Sequence, residues 1–342
     1  MLIVASVGVN SLTDEKIRKM ILAGADMFRF NFSYRSIDEN IKNIKIAQDI
    51  IEDLNAQTKT LFDLPFKKYR LGYFDLKSFA VRENEEFIFK YATYSPDCNL
   101  FIPVNINQLG NKVDVNQTVT ISDGEIAIQI TELIDSNTIK AKILNNGIIY
   151  FNKSFNIKHY RPEQELLEEY KDIMEKTKDL EPDYYAVPFI SANFNSEFKK
   201  LFLQTNSRAK LIIKIEQQID AGELISISQD NDYEMILLDR GEMGVNLPFE
   251  KVGLWQKHIC TIAKQHRKKL LISTQILDST INSFVPHRSE ILDLTNMVLD
   301  KIDGIVLCHE TAFGMRPAYS IYVAKKIIAE VEKHKNDHKQ SE

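Results

Sequence analysis

The chain has 342 residues, 44% hydrophobic and 27% charged, a composition that supports a full-sized folded core and argues against extensive disorder. Its formal net charge of −5 lacks the basic excess expected of a protein that binds nucleic acid or anionic membranes. Cys98, Cys260 and Cys308 are an odd number without close spacing, which argues against a disulfide framework and a zinc knuckle. No apolar run reaches the ~18 residues of a membrane span, so we expect a cytoplasmic protein.

Eight short apolar segments rich in β-forming residues recur along the chain. They are residues 2–7, 27–30, 59–62, 184–188, 211–215, 235–238, 269–272 and 304–307. Between them lie segments with the helical period, for example residues 13–22 with Thr13 as N-cap, 36–54 and 250–268. Alternating strands and helices are typical of a parallel sheet, and eight such units predict an α/β fold of the (β/α)₈, or TIM, barrel type.

Residues 72–157 interrupt this alternation. The segment is rich in Ile, Val, Thr and Phe, shows no long helical period, and carries turn signals at residues 122–124 and 145–147. We expect a small all-β barrel domain inserted after the third strand, with residues 1–71 and 158–342 forming the large barrel. An insert at the C-terminal end of that barrel would be placed to act as a lid.

Charged and polar side chains follow several predicted strands, at the rim where barrel enzymes carry their active sites. Arg29 ends strand two together with Asn31 and Ser33, and either an anion site or a solvated strand end explains this group. Lys214 and Glu216 end strand five on one side of the strand, either as ligand-binding charges or as a structural ion pair.

Strand six ends in Asp239-Arg240-Gly241-Glu242, so the carboxylates of Glu216 and Glu242 would emerge from adjacent strands. Two carboxylates completed by substrate oxygens are a common way to hold Mg²⁺. The segment also exposes backbone amides at a predicted helix start, which suits a carboxylate or phosphate, although a plain β-α turn explains it as well.

Strands seven and eight end in Ser273-Thr274-Gln275 and in Cys308-His309. Capping of the following helix explains each segment taken alone. Cys308 as nucleophile and His309 as acid or base have no identifiable partner in the sequence, so we favour structural roles for both. No P-loop or dinucleotide-binding glycine pattern occurs, so a bound nucleotide would be held in another way.

Taken in order, eight segments resemble those of the pyruvate kinase family. They are RFNFS at 29–33, Asp63 followed by RLG at 70–72, ISDG at 121–124, KIE at 214–216, RGEMGV at 240–245, TQ at 274–275, PHRSE at 286–290 and ETA at 310–312. The resemblance covers that family's catalytic barrel and inserted domain, and the chain stops where the C-terminal regulatory domain would begin. It implies a kinase acting on phosphoenolpyruvate and ADP, without control through that third domain.

By this resemblance, Arg29 and Lys214 stabilise the transferring phosphoryl group, and Glu216 and Glu242 hold Mg²⁺ or Mn²⁺. These roles agree with the chemistry, since phosphoryl transfer needs mostly positioning and charge neutralisation. Thr274 would lie beside the carbon that is protonated. The backbone amides of Gly241 and Glu242 would receive the substrate carboxylate, and the residues implied at the nucleotide are Asn31, Arg70 and Lys153.

Some positions depart from the family pattern, above all residues 64–69, which border the nucleotide and monovalent-cation sites. Asn31, Ser33 and Asp63 retain the side chains that bind potassium in the family. Lys68 stands where a glutamate is usual, as in family members that need no potassium, so we expect its ammonium group to replace the ion. Glu242 is one methylene longer than the usual aspartate.

Two other interpretations stay open at this point. Residues 64–69 and Cys308-His309 favour a specialised relative that uses the same metal-enolate site on another 2-oxo acid or phosphate ester. The second interpretation is a non-catalytic binding or regulatory protein. The retained charged residues argue against it, because buried charges that serve no function would lower stability. In every case we expect no nucleic-acid or membrane partner, and a barrel-to-barrel homodimer.

Overall fold

The computed structural model describes residues 1–66, 69–76, 78–157 and 163–339, apart from a few side chains within them. The chain divides into two compact units. The first comprises Met1–Phe66 and Glu163–Glu342, and the second is Lys67–Pro162. No helix in the described ranges is long and apolar enough to cross a membrane.

The first unit contains a closed barrel of eight parallel strands, in which each strand pairs with its sequence neighbours and the last pairs with the first. The strands are β1 (Leu2–Ser6), β2 (Met27–Asn31), β3 (Lys59–Asp63), β4 (Tyr184–Pro188), β5 (Lys210–Ile215), β6 (Tyr233–Asp239), β7 (Lys269–Ser273) and β8 (Gly304–Leu307). The prediction of a (β/α)₈ barrel is therefore confirmed, with every predicted strand end within two residues of the observed one.

Helices of this unit follow the strands. They are α1 (Asp14–Ala23), α2 (Ile37–Asp53), α3 (Glu163–Thr177), α4 (Ala192–Gln204), α5 (Ala221–Gln229), α6 (Arg240–Asn246), α7 (Val252–Gln265), α8 (Arg288–Leu299), α9 (His309–Ala312) and α10 (Pro317–Lys339). Thr13 caps α1 by accepting from the Lys16 amide, as its sequence position predicts. The predicted helix 250–268 is shorter, because a 3₁₀ turn precedes α7 and Arg267 adopts a left-handed conformation at φ 55°.

Alternation along the strands builds two buried layers. Inside the barrel pack Val4, Leu61, Ile212, Leu237, Leu271 and Val306. On the outer face, against the helices, pack Ile3, Phe28, Phe62, Ile213, Leu238 and Ile305. Since apolar side chains fill the barrel interior, charged side chains on the strands are concentrated at the strand ends.

The second unit is built from short strands around its own core, which includes Phe89, Ile102 and Val119. A six-stranded sheet has the order Phe155–Asn156, Thr118–Ile121, Ile126–Asp135, Thr138–Ile143, Glu86–Tyr91 and Ile102–Val104. Gly147–Tyr150 pairs with Ser78–Val81, and Tyr73–Phe74 pairs with Tyr94–Ser95. Among the strands that the structure describes here, these form three separate hydrogen-bonded sheets.

Candidate active site

Arg29, Asp63 and Lys214 form a buried charge network at the carboxyl ends of β2, β3 and β5. Nε and Nη2 of Arg29 lie 2.6 and 2.5 Å from Oδ2 of Asp63, and Nζ of Lys214 lies 2.7 Å from Oδ1 of the same carboxylate. Lys214 also donates to the Leu64 carbonyl at 3.0 Å. A single buried carboxylate thus holds two cations next to each other.

The ionisation of these three groups is set by their mutual contacts. Burial disfavours the charged form of Asp63, but the nearby charges of Lys214 and Arg29 outweigh burial and lower its pKa. Burial likewise works against the charges of Lys214 and Arg29, and the carboxylates beside them raise both pKa values above the usual range. All three groups therefore stay charged at neutral pH, and the two cations exceed their bridging carboxylate by one charge.

Glu216 follows β5 directly, and its side chain is only 11% exposed. Its Oε1 lies 3.1 Å from Nζ of Lys214, whereas its Oε2 is buried without a hydrogen-bond partner. Burial raises the pKa of Glu216 to about 7 against the attraction of Lys214, and the charges of Asp239 and Glu242 act in the same direction as burial. This carboxylate therefore has an unused buried oxygen in a site where a further cation would be stabilising.

The carboxylates of Glu216 and Glu242 suit a divalent cation. Glu216 offers an orphaned oxygen, and Glu242 lies close enough to influence its ionisation. Within the described ranges no three His, Cys, Asp or Glu side chains form a ready-made metal cluster. Mg²⁺ bound here would therefore take its remaining ligands from substrate or water, which is its usual habit in phosphoryl-transfer sites.

A strained turn follows β7 beside the start of α6. Thr274 and Gln275 have φ values of 74° and 54°, a left-handed conformation that is costly for a β-branched residue. The Thr274 hydroxyl donates to Oδ1 of Asp239 at 2.8 Å, and the Gly241 amide donates to the same oxygen at 3.0 Å. A Cβ on Gly241 would lie 2.9 Å from Cγ2 of Thr274, so only glycine allows this close approach.

Arg240 fixes the strained turn in place. Its Nε and Nη2 donate to the Thr274 carbonyl at 3.1 and 2.8 Å, and Nη2 also donates to the Gln275 carbonyl at 2.9 Å. Its Nη1 forms an ion pair with Asp293 of α8 at 2.7 Å. One guanidinium therefore ties the ends of β6 and β7 to α8.

The end of β8 supplies Cys308, whose Sγ lies 3.6 Å from Nη1 of Arg29. Burial raises the Cys308 pKa to about 12, so the thiol is protonated at neutral pH and is not an activated nucleophile. Glu310 is buried and accepts from the amides of Leu277 and Cys308, and burial raises its pKa to about 7. His309 is exposed and its ring packs against Phe313.

The residues expected at a potassium site are placed as follows. Oδ1 of Asn31 accepts from the Ser33 amide at 2.8 Å, and Asp63 binds the two cations described above. Lys68, expected to replace the ion, lies outside the described residues.

The second unit carries the other two residues expected at the nucleotide. Nη1 of Arg70 donates to the Asn152 carbonyl at 2.9 Å, and the Leu71 amide donates to the Lys153 carbonyl at 2.8 Å. Arg70 and Lys153 therefore lie on neighbouring, hydrogen-bonded segments, and the Lys153 side chain is exposed.

Three features of the rim are not predicted by the sequence patterns described above. The first is Asp63, which the sequence indicates only as a cation ligand and which in the structure bridges Arg29 and Lys214. The second is Asp239, which caps α6 by accepting from the Gly241 amide; an aspartate that ends a strand directly before a predicted helix start is a signal for such capping. The anchoring role of Arg240 had no local signal, because its partners come from other elements.

The chain matches the family described as "Pyruvate kinase, barrel domain" over residues 1–321. It is 29% identical over 335 residues to a pyruvate kinase of Thermococcus litoralis, covering 97% of this chain and 70% of that protein. It is 30% identical over 339 residues to a pyruvate kinase of Buchnera aphidicola subsp. Schizaphis graminum, covering 97% of this chain and 69% of that protein. It is 29% identical over 340 residues to a pyruvate kinase of Thermotoga maritima, and this match covers 97% of this chain and 71% of that protein.

A crystal structure of a pyruvate kinase from Cryptosporidium parvum has a similar fold, with a TM-score of 0.82. That similarity covers 97% of this chain and 69% of the other, at 23% sequence identity. At this identity the structural match supports the fold, whereas the sequence matches bear on the family.

Proposed function

Since the chain belongs to the pyruvate kinase family, we propose that it transfers a phosphoryl group between phosphoenolpyruvate and ADP. In this reaction the bond from phosphorus to the enol oxygen breaks, a new bond forms to a terminal oxygen of ADP, and the released enolate takes a proton on carbon to give pyruvate. The observation that carries the proposal is the pair of buried cations, Arg29 and Lys214, held on one carboxylate beside Glu216.

The roles of the barrel residues follow from their positions. Arg29 and Lys214 would neutralise the oxygens of the transferring group in a buried setting, where charge interactions are strong. Mg²⁺ or Mn²⁺, when bound by Glu216 and Glu242, supplies further positive charge to substrate oxygens. The side chains of Arg29 and Lys214 are already held on Asp63 before substrate binds, so little reorganisation of the protein is needed during transfer.

The substrate acid would bind at the start of α6, against the backbone amides of Gly241 and Glu242. The Gly241 amide already donates to Asp239, so that contact must be shared or exchanged when the carboxylate binds. Thr274 would stand beside the carbon that receives the proton, with its hydroxyl oriented by Asp239. Arg70 and Lys153, which lie on hydrogen-bonded segments of the second unit, would contact the phosphates of ADP or ATP.

The first test is pyruvate formation from phosphoenolpyruvate and ADP with Mg²⁺. Replacing Lys214 with Met removes one charge from the transferring group, so we expect kcat to fall by at least ~10²-fold. Lys264→Met, an exposed position on α7, is the matched control and should keep full activity. Thermal unfolding of both variants separates a lost charge from a lost fold.

Activity absent from a folded wild-type protein would contradict the proposal. A panel of other 2-oxo acids and phosphate esters would then identify a specialised relative. Binding without turnover of any of them would indicate a regulatory protein.

The reaction should not require potassium. Both carboxylate oxygens of Asp63 are already within ion-pair distance of a cation, which weakens this carboxylate as a ligand for a further monovalent ion. The expected Lys68 ammonium adds to this effect. Turnover in sodium-only or Tris buffer should therefore match turnover in potassium, and a large stimulation by potassium would overturn the idea.

We also propose a homodimer formed through the barrel units. Large apolar side chains stand exposed on and near α8 and α10, including Phe284, Val285, Met315 and Tyr322. Light scattering should then give twice the chain mass of 39.5 kDa, and Phe284→Glu should yield the monomer.

The free thiols of Cys98, Cys260 and Cys308 suit a reducing cytoplasm.

A further inference from the structure

A cavity of about 490 Å³ lies at the N-terminal ends of three barrel strands. Lys59, Tyr184 and Lys210, the first residues of β3, β4 and β5, line it together with the end of α3 and the loop from α4 to β5. Its volume falls within the range of small-molecule sites. The length of β3 and β5, roughly 13 Å for four residues, separates it from the charge network of Asp63 and Lys214. The cavity is therefore distinct from the candidate active site.

The lining of this cavity carries an excess of positive charge. Its charged side chains are four cations, Lys59, Lys178, Arg208 and Lys210, and two carboxylates, Glu181 and Asp183. A further carboxylate, Glu234, lies beside the lining, with Oε2 2.5 Å from Nζ of Lys210 and Oε1 3.6 Å from Nζ of Lys269. Including Glu234 and Lys269 adds one charge of each sign, so the excess remains two. Such a local field favours a dianion.

Two of the lining cations are available to a ligand. Among the described residues, no carboxylate lies within ion-pair distance of Lys178 or Arg208, and both side chains are exposed. Asp183, by contrast, is directed at the backbone, because its Oδ2 accepts from the Thr60 amide at 2.8 Å and from the Thr60 hydroxyl at 3.3 Å. An anion in the cavity would therefore meet an ammonium and a guanidinium that need not give up a protein partner.

The loops around the cavity are already ordered. After α4, Oγ1 of Thr205 accepts from the Ser207 amide at 3.3 Å, and Oγ of Ser207 accepts from the Ala209 amide at 3.2 Å. After α3, the Leu180 carbonyl accepts from Nε2 of Gln48 at 2.6 Å. Because these hydrogen bonds fix both loops in advance, a ligand would order little additional protein on binding, which favours affinity.

We propose that this cavity binds a small dianion, a phosphate monoester or a dicarboxylate, with Lys178 and Arg208 as its principal contacts. A guanidinium presents a fork that matches both phosphate and carboxylate oxygens, and an ammonium adds a point charge. Nζ of Lys59, which lies 5.4 Å from the centre of the Tyr184 ring, supplies a third positive charge. The inference is independent of the proposed function, since none of these residues belongs to the rim.

The test is calorimetric titration of the full chain, without divalent metal, with glycerol 3-phosphate and separately with succinate. At least one of these dianions should bind, and neutral glycerol should not. Replacing Lys178 and Arg208 together with Gln should raise Kd by at least about 10-fold, which corresponds to the loss of one charge-assisted hydrogen bond. Lys264→Gln, at an exposed position on α7, is the matched control and should bind as the wild type does.

Lys214→Met shows at which end of the barrel the dianion binds. Affinity that is kept in this variant and lost in the cavity variant supports the cavity site. The reverse result would place the dianion at the rim and overturn the inference. So would the absence of saturable binding below ~1 mM, the upper end of the usual range for metabolites. The cavity variant should form pyruvate as the wild type does, so failure of this inference is distinguishable from failure of the kinase proposal.

Discussion

Gly241 illustrates how one atom can decide the geometry of the rim. A methyl group at this position would meet Cγ2 of Thr274 at 2.9 Å and Oδ1 of Asp239 at 3.3 Å. Thr274 cannot move freely, because its carbonyl receives two donors from Arg240. Glycine is required here by lack of space rather than by its backbone freedom.

We predict that Gly241→Ala displaces Thr274 by a few tenths of an ångström and lowers kcat/KM for phosphoenolpyruvate by ~10- to 100-fold, the range expected for sub-ångström misplacement. Gly253→Ala on α7 is the control, since a Cβ there meets nothing within 4 Å. That control should keep full activity and gain up to about 1 kcal/mol of stability from helix propensity. Full activity of Gly241→Ala would show that the turn adapts without loss.

At the level of elements, Arg240 joins β6, the turn after β7, and α8. Its planar guanidinium reaches two carbonyls and one carboxylate together, through three different nitrogens. A lysine ammonium is a single point charge on a flexible stem and cannot reproduce this fork. The left-handed conformations of Thr274 and Gln275, which follow β7, are therefore held by Arg240, which follows β6.

Arg240→Lys should relax the turn and reduce kcat/KM by at least about 10-fold, which corresponds to the loss of one charge-assisted bond worth ~1.5 kcal/mol. The midpoint of thermal unfolding should fall by only a few degrees, because the barrel strands do not depend on this contact. Arg208→Lys, at an exposed position, provides the comparison in steady-state kinetics. If the two variants behave alike, Arg240 does not position the turn.

For the whole molecule, the buried carboxylates of Glu310 and Glu216 make one contribution to the dependence of stability on pH. Burial raises the pKa of Glu310 to about 7, above the ordinary 4.5, and raises that of Glu216 in the same way. As pH rises from 4.5 to 7 the unfolded chain releases these protons while the folded chain retains them. The contribution of these two groups to the free energy of unfolding therefore falls with rising pH in this window, by an amount on the order of 3 kcal/mol for Glu310.

We predict that Glu310→Gln reduces this pH dependence while lowering stability overall. Glutamine offers one acceptor oxygen where the Leu277 and Cys308 amides need two, so one backbone donor loses its bond. Urea unfolding at pH 5 and pH 8 measures both effects, with the exposed Glu250→Gln as control. A variant that loses stability between these pH values as steeply as the wild type would show that Glu310 is not the titrating group.

The sequence by itself determined the eight strands of the barrel, the interruption by a β-rich segment and the set of polar residues at the rim. These features rest on local patterns, namely the periodicity of apolar residues and the residue types that follow each strand. The capping of α1 by Thr13 is decided in the same local way, because donor and acceptor are three residues apart.

Only the tertiary structure decided which of those rim residues contact each other. Asp63 bridges Arg29 and Lys214 because barrel closure brings the ends of β2, β3 and β5 together, and no local pattern encodes that meeting. The unused oxygen of Glu216 is likewise defined by what surrounds it, since burial and partners are properties of the folded core. The sequence determines which charged groups are available at the rim. Closure of the barrel sets the distances between these groups and hence their ionisation.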